Sequence, residues 1–121
     1  MGLDMYACVT DQQISAVDFG QPKTWSEIYY WRKHPNLHGW MEQLYRARGG
    51  RCEDFNLARL RLEAAELDAL EQAVNNDRLP ETTGFFFGVS RPDEKEDDVE
   101  FIRIAREAIR HGQRVFYYAW W

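Results

Sequence analysis

Apolar and aromatic positions fall into short blocks whose period changes along the chain, and each change marks an element. Residues 3–9 (LDMYACV) form an apolar, aromatic run that predicts a first strand, and the polar residues 10–13 turn the chain. Gly20 and Pro22 mark residues 18–24 as a loop. Residues 26–33 (SEIYYWRK) are aromatic and β-branched and predict a second strand. Its alternation puts Ile28, Tyr30 and Arg32 on one face, and Tyr29, Trp31 and Lys33 on the other.

Pro35 breaks that strand and suits a helix start. Leu37, Trp40, Met41, Leu44 and Tyr45 follow as an amphipathic stripe, which Gly49 and Gly50 end. Residues 56–62 (NLARLRL) alternate, with Ala58, Leu60 and Leu62 facing one way and Arg59 and Arg61 the other; a half-exposed strand is expected, with a helix as the alternative. Residues 63–75 predict a helix with Leu67, Leu70 and Val74 on its apolar face. Residues 84–88 (GFFFG) read as a short buried strand or a tight extended piece. Residues 94–111 predict a third helix, its core face being Phe101, Ile102, Ala105, Ala108 and Ile109. Its acidic start and basic end complement the helix dipole, so the acidic run 93–100 is expected to be a solvated helix start. Residues 114–120 (RVFYYAW) predict a closing strand. Strands and helices mix without regular βαβ repetition. The expected fold is a single α+β domain spanning 1–121, a mostly antiparallel sheet with about three helices packed on one side.

Composition narrows the function classes. A chain of 121 residues fits one domain and can bury enough surface to fold without disulfides or a structural metal. A net charge of −5 disfavours a uniformly basic nucleic-acid face. There is no run long enough to span a membrane, no secretory pattern, and no CxxC pair around Cys8 or Cys52. A cytoplasmic setting with reduced cysteines is therefore expected.

The densest cluster of chemistry is YYWRKHPNLHGW, residues 29–40, at a strand-to-helix junction. His34 and His38 are four apart, a spacing two metal ligands can use, but the set is incomplete, with Asp4 the nearest further candidate by type and no Glu after His34 as in HExxH, and Pro35 places His34 at or before the cap. No metal or cofactor is expected; the plain expectation is that His34 caps the helix and His38 lies on its exposed face. Either histidine is also a candidate acid–base group, since imidazole titrates near neutral pH. Phosphate-loop motifs and GxSxG are absent, Cys8 and Cys52 lie in no nucleophile motif, and Ser15, Ser26 and Ser90 sit in turn-like contexts. The many aromatics would mostly fill a core, with the remainder exposed as a platform for a protein partner, a flat ligand or single-stranded bases. Trp120 and Trp121 suggest a docked chain end or an interface.

MGLDMY at the start, YWRKHPNLHGW in the first third, GFFFG in the middle and YYAWW at the end resemble a family of small uncharacterised proteins of phages and prophage-bearing bacteria. Members often carry Ser where Ala119 stands. Some bear a phosphoglycerate kinase label, which a single small domain without nucleotide-loop motifs does not support. The resemblance implies a phage or prophage setting and a site where the blocks meet. Its candidate residues are Asp4, Tyr6, Trp31, Arg32, Lys33, His34, Asn36, His38, Trp40, Phe86 and Trp120.

The leading expectation is an accessory binding module that uses the block around Trp31–Trp40 with the C-terminal aromatics, exposing aromatics and an apolar patch beside Arg32 and His38. Its partner would be a host or phage protein, or a small polar ligand. The alternative is a small enzyme with His34 or His38 as acid–base and Arg32 or Lys33 holding an anion, in a pocket where a histidine and a cation converge. A third reading is a homo-oligomer subunit with its last strand between chains.

Overall fold

A computed structural model describes residues 2–121. The strands are β1 (Asp4–Thr10), β2 (Ser26–Arg32), β3 (Leu60–Leu62) and β4 (Arg114–Trp120), and the helices are α1 (Pro35–Ala47), α2 (Ala64–Asn75) and α3 (Glu94–Arg110). The strands form one antiparallel sheet in the order β2-β1-β4-β3, so the first and last strands pair at its centre. Among the described residues no helix is long and apolar enough to cross a membrane.

The period-two alternation of the strands sorts their side chains by face. Met5, Ala7, Val9, Trp31, Leu60, Leu62, Val115, Tyr117 and Ala119 join the main core with Leu37, Met41 and Tyr45 of α1, Leu67, Leu70 and Val74 of α2, and Phe101, Ile102 and Ala105 of α3. The opposite face carries a small second cluster, Cys8, Ile14 and Phe116, with Tyr6, Phe19 and Tyr118 packed against it, and no helical residue among them. All three helices therefore cover the same side of the sheet, the α+β layering expected from the element order. Glu66 accepts the Glu63 backbone N–H at 2.8 Å, which fixes the start of α2. Arg106 of α3 reaches Asp68 (2.7 Å) and Glu71 (2.9 Å), tying α3 to α2.

Two elements differ from expectation. The strand expected over 56–62 shrinks to Leu60–Leu62, because Phe55 and Leu57 have φ of 53° and 60°, outside the strand region. Asn56 instead clasps the chain end: its amide donates to the Trp121 carbonyl (3.0 Å), and its Oδ1 accepts the Trp121 N–H (3.3 Å). Residues 84–88 are a turn, not a strand. The Phe87 N–H bonds back to the Gly84 carbonyl and Phe86 sits at φ 66°. A Cβ on Gly84 would come within 2.6 Å of the Phe87 ring, so Gly84 lets that ring fold back into the core. Only Phe87 is buried; Phe85 and Phe86 project outward, so the triplet does not fill the core as its composition suggests.

Candidate functional site

The register aligns outer-face residues into rows that cross the sheet. Tyr6 pairs with Tyr30 of β2 and with Tyr118 of β4, and Asp4 pairs with Arg32 and with Trp120. One row is thus Tyr30–Tyr6–Tyr118, and the next is Arg32–Asp4–Trp120. The tyrosines contact ring to ring, with centroids 5.4 Å apart for Tyr6–Tyr30 and 5.0 Å for the stacked Tyr6–Tyr118 pair. Asp4 accepts the Tyr30 hydroxyl at 2.5 Å and the Arg32 guanidinium at 2.7 Å. The Tyr30 hydrogen bond, followed by Arg32, holds the Asp4 carboxyl below its ordinary pKa, while burial pushes the Tyr6 phenol up.

The 84–88 turn extends this face past the end of the strands. It docks through the Leu3 N–H on the Phe86 carbonyl at 3.2 Å. Gly2, Asp4, Phe85, Phe86, Trp120 and Trp121 then line a cleft of about 540 Å³. Phe85 is 83% exposed and Trp120 59%.

The other half of the outer face is covered. Arg59 and Arg61 reach over residues 11–24: Arg59 donates to the Phe19 carbonyl (3.3 Å) and Arg61 to the Ile14 carbonyl (2.7 Å). Backbone bonds from Asp18 to Arg59 and from Arg61 to Ala16 complete the clasp. Ile14 and Phe19 thereby seal Cys8 and Phe116, and burial drives the Cys8 thiol pKa up to about 12.

Asp4, Tyr6, Arg32, Phe86 and Trp120 therefore meet on one surface, and Tyr30 joins them, as the alternation of β2 predicts for the face of Arg32. Trp31, expected in the binding surface, does not belong to it. It points inward, 4% exposed, and packs edge-on against Phe101 at 4.9 Å. Lys33 lines a polar cleft with Arg91, Glu94 and Asp97 that Tyr30 and Arg32 also line, so it borders that surface, and Trp40 is half-buried against the core.

His38, expected on the exposed face of α1, is 1% exposed. The apolar stripe of α1 runs through Leu37, Met41 and Tyr45, and His38 sits inside it. Its Nδ1 lies 2.7 Å from the Tyr117 hydroxyl, and its ring stacks on Phe55 and meets Phe87 and Trp121 edge-on. Nε2 has no hydrogen-bond partner among the described residues. Burial lowers the His38 pKa to about 4, so the ring is neutral at pH 7. His38 is a core residue beneath the C-terminal tryptophan, not part of the surface expected beside Arg32.

His34 occupies the N-cap position of α1 but makes no capping hydrogen bond through its side chain. It turns inward instead, with Nδ1 2.7 Å from Ser90 Oγ and 3.2 Å from Glu94, and Nε2 2.9 Å from Asp98. Glu94 and Asp98 are buried, which corrects the reading of the whole 93–100 run as solvated. They approach opposite ring nitrogens, and among the described residues no three ligating side chains converge on one point. Desolvation raises the Asp98 carboxyl above its ordinary pKa, opposed by His34. The Trp31 indole also acts on that carboxyl, without meeting hydrogen-bond geometry.

Asn36 joins His34 beside a cleft of about 350 Å³ whose cations are Arg91 and Lys95. Arg32 and Lys33, the cations expected beside the histidines, do not line it. A lone serine in a turn, as Ser90 is in the sequence, carries no signal of its own. Only the fold brings it to a histidine 56 positions away.

No family model matches this chain, and no curated protein or solved structure matches it either.

Proposed function

We propose that the protein is a binding module and that its contact surface is the bare half of the outer sheet face. The observation that carries the reading is the convergence of Tyr30, Tyr6, Tyr118, Trp120 and the Asp4–Arg32 pair on one helix-free surface. Tyrosine, tryptophan and arginine are the side chains that dominate protein–protein hot spots. The partner is a protein segment that offers an aromatic side chain to this platform. β2 is an edge strand whose outer side is unpaired among the described residues, so an extended segment can add to it and lay alternate side chains beside Tyr30 and Arg32. A nucleic acid fits less well, because Arg32 is already paired with Asp4 and the chain is acidic.

All four blocks that resemble phage proteins contribute to this surface: Asp4 and Tyr6, Arg32, Phe85 and Phe86, Tyr118 and Trp120. That convergence supports an accessory role in a phage or prophage setting, with a host or phage protein as the partner.

Selection from a random peptide library tests the reading. Selected peptides should share an aromatic residue and bind the Trp120→Ala and Tyr30→Ala variants at least tenfold more weakly. They should bind Trp25→Ala, altered at a tryptophan outside both rows, as they bind wild type. Peptides indifferent to Trp120 and Tyr30 would refute it.

A further inference from the structure

Outside that face, the fold brings a histidine to a serine and an aspartate more than fifty positions further along the chain, in one hydrogen-bonded chain. We propose that Ser90, His34 and Asp98 form an acyl-transfer site, with Ser90 as nucleophile, His34 as its base and Asp98 as the group that positions the imidazole. The β2–α1 corner supplies His34, the loop before α3 supplies Ser90, and α3 supplies Asp98.

The geometry meets the requirements of an activated hydroxyl. Ser90 Oγ is 2.7 Å from Nδ1, and Asp98 Oδ2 is 2.9 Å from Nε2, nearer than Glu94 is to Nδ1 (3.2 Å), so the tautomer protonated at Nε2, paired with Asp98, leaves Nδ1 to accept from the hydroxyl. The ring is 3% exposed and held rigidly, whereas Ser90 is partly accessible and lines the cleft with His34 and Asp98. The Asn36 backbone N–H donates to Ser90 Oγ at 3.0 Å, which orients the hydroxyl and stabilises negative charge that develops on it. Glu94 lies 3.2 Å from Nδ1 and accepts the Arg91 N–H. An imidazolium formed at Nδ1 is therefore faced by two buried carboxylates, which favours the proton transfer.

In the reaction, Oγ bonds to the carbonyl carbon of an ester and its proton passes to His34 Nδ1. The tetrahedral intermediate collapses, the bond to the leaving alcohol breaks, and the alkoxide takes the proton from Nδ1. Water then attacks the acyl-serine by the same route, returning a proton to Oγ and releasing a carboxylic acid. Nothing is oxidised or reduced. Val74, Leu79 and Pro92 give the cleft an apolar wall, which suits a small ester with a short hydrocarbon acyl chain.

A fluorophosphonate probe and p-nitrophenyl butyrate test this. Native protein should gain one adduct mass on Ser90 and hydrolyse the ester. Ser90→Ala should lose both, and His34→Gln should slow labelling at least 100-fold. Asp98→Asn provides a second route if His34→Gln does not fold, with slowed labelling expected in a chain whose circular dichroism is unchanged. Ser15→Ala should label like wild type. No adduct on folded protein after hours at millimolar probe, or an adduct that persists in Ser90→Ala, would overturn the proposal and leave Ser90 as a structural cap.

Discussion

The two faces of this sheet are made from alternate residues of the same strands, yet they do different work. The inner face presents Met5, Ala7, Trp31 and Tyr117 to three helices and is sealed. The outer face presents Asp4, Tyr6, Arg32, Tyr118 and Trp120, and only the half beneath residues 11–24 is covered. The difference shows that aromatic content does not decide which face is core. Tyr117 and Tyr118 are neighbours in sequence, but one is fully buried beside His38 and the other is half-exposed in the tyrosine row. What separates them is the one-residue step that inverts a strand side chain.

The sharpest contrast is in stability. Phe101→Ala removes an inner-face ring packed on Trp31 and should cost about 3–5 kcal/mol in denaturant unfolding. A cost under about 1 kcal/mol would show that the inner face is not the principal core.

His38 makes the contrast pH-dependent. Its folded pKa is lowered to about 4 from an ordinary 6.5, so the unfolded chain binds the proton more readily. The stability it contributes is complete above pH 6.5 and is lost as pH falls toward 4, by up to about 3 kcal/mol on the usual conversion. Asp98, whose carboxyl is raised, contributes with the opposite sign, so the comparison to make is wild type against His38→Gln. Between pH 7 and 4.5 the wild-type unfolding midpoint should drop further than that of the variant. Parallel pH profiles would mean that His38 is not buried neutral.

The covered and bare halves of the outer face can be separated by Arg61→Ala, which releases the Ile14 carbonyl. It should cost about 1–2 kcal/mol and speed hydrogen exchange at the amides of Asp18 and position 61 while leaving the Tyr6 amide unchanged. The smallest effect belongs to the bare half: Trp120→Ala should change stability by no more than about 0.5 kcal/mol. A larger loss would recast Trp120 as part of the core.

Much of this was legible in the sequence. The closing strand and the second and third helices follow from periodicity within a residue at each end, because long periodic segments bury one continuous stripe. The shared face of Tyr30 and Arg32 follows from alternation alone. The joining of β1 and β4 into one surface does not, because their pairing spans more than a hundred residues. The failures have separate physical causes. His38 looked like a solvent-facing polar residue, but a neutral imidazole paired with a tyrosine hydroxyl is tolerated inside an aromatic core. The phenylalanine triplet looked buried, but a left-handed Phe86 turns two of its three rings outward. Asp98 and Glu94 looked like part of a solvated acidic start, and their burial depends on His34 arriving from another element.

The central claim is that the bare half of the outer face is where a partner binds. Backbone and indole chemical shifts of the labelled protein, recorded as a library-selected peptide is added, test it most directly. The account predicts shifts confined to residues 4–6, 30–32, 85–86 and 118–121, including the Trp120 indole, with the α2 and α3 amides undisturbed. A footprint on the helical side of the molecule, with residues 4–6 and 118–120 unmoved, would contradict it.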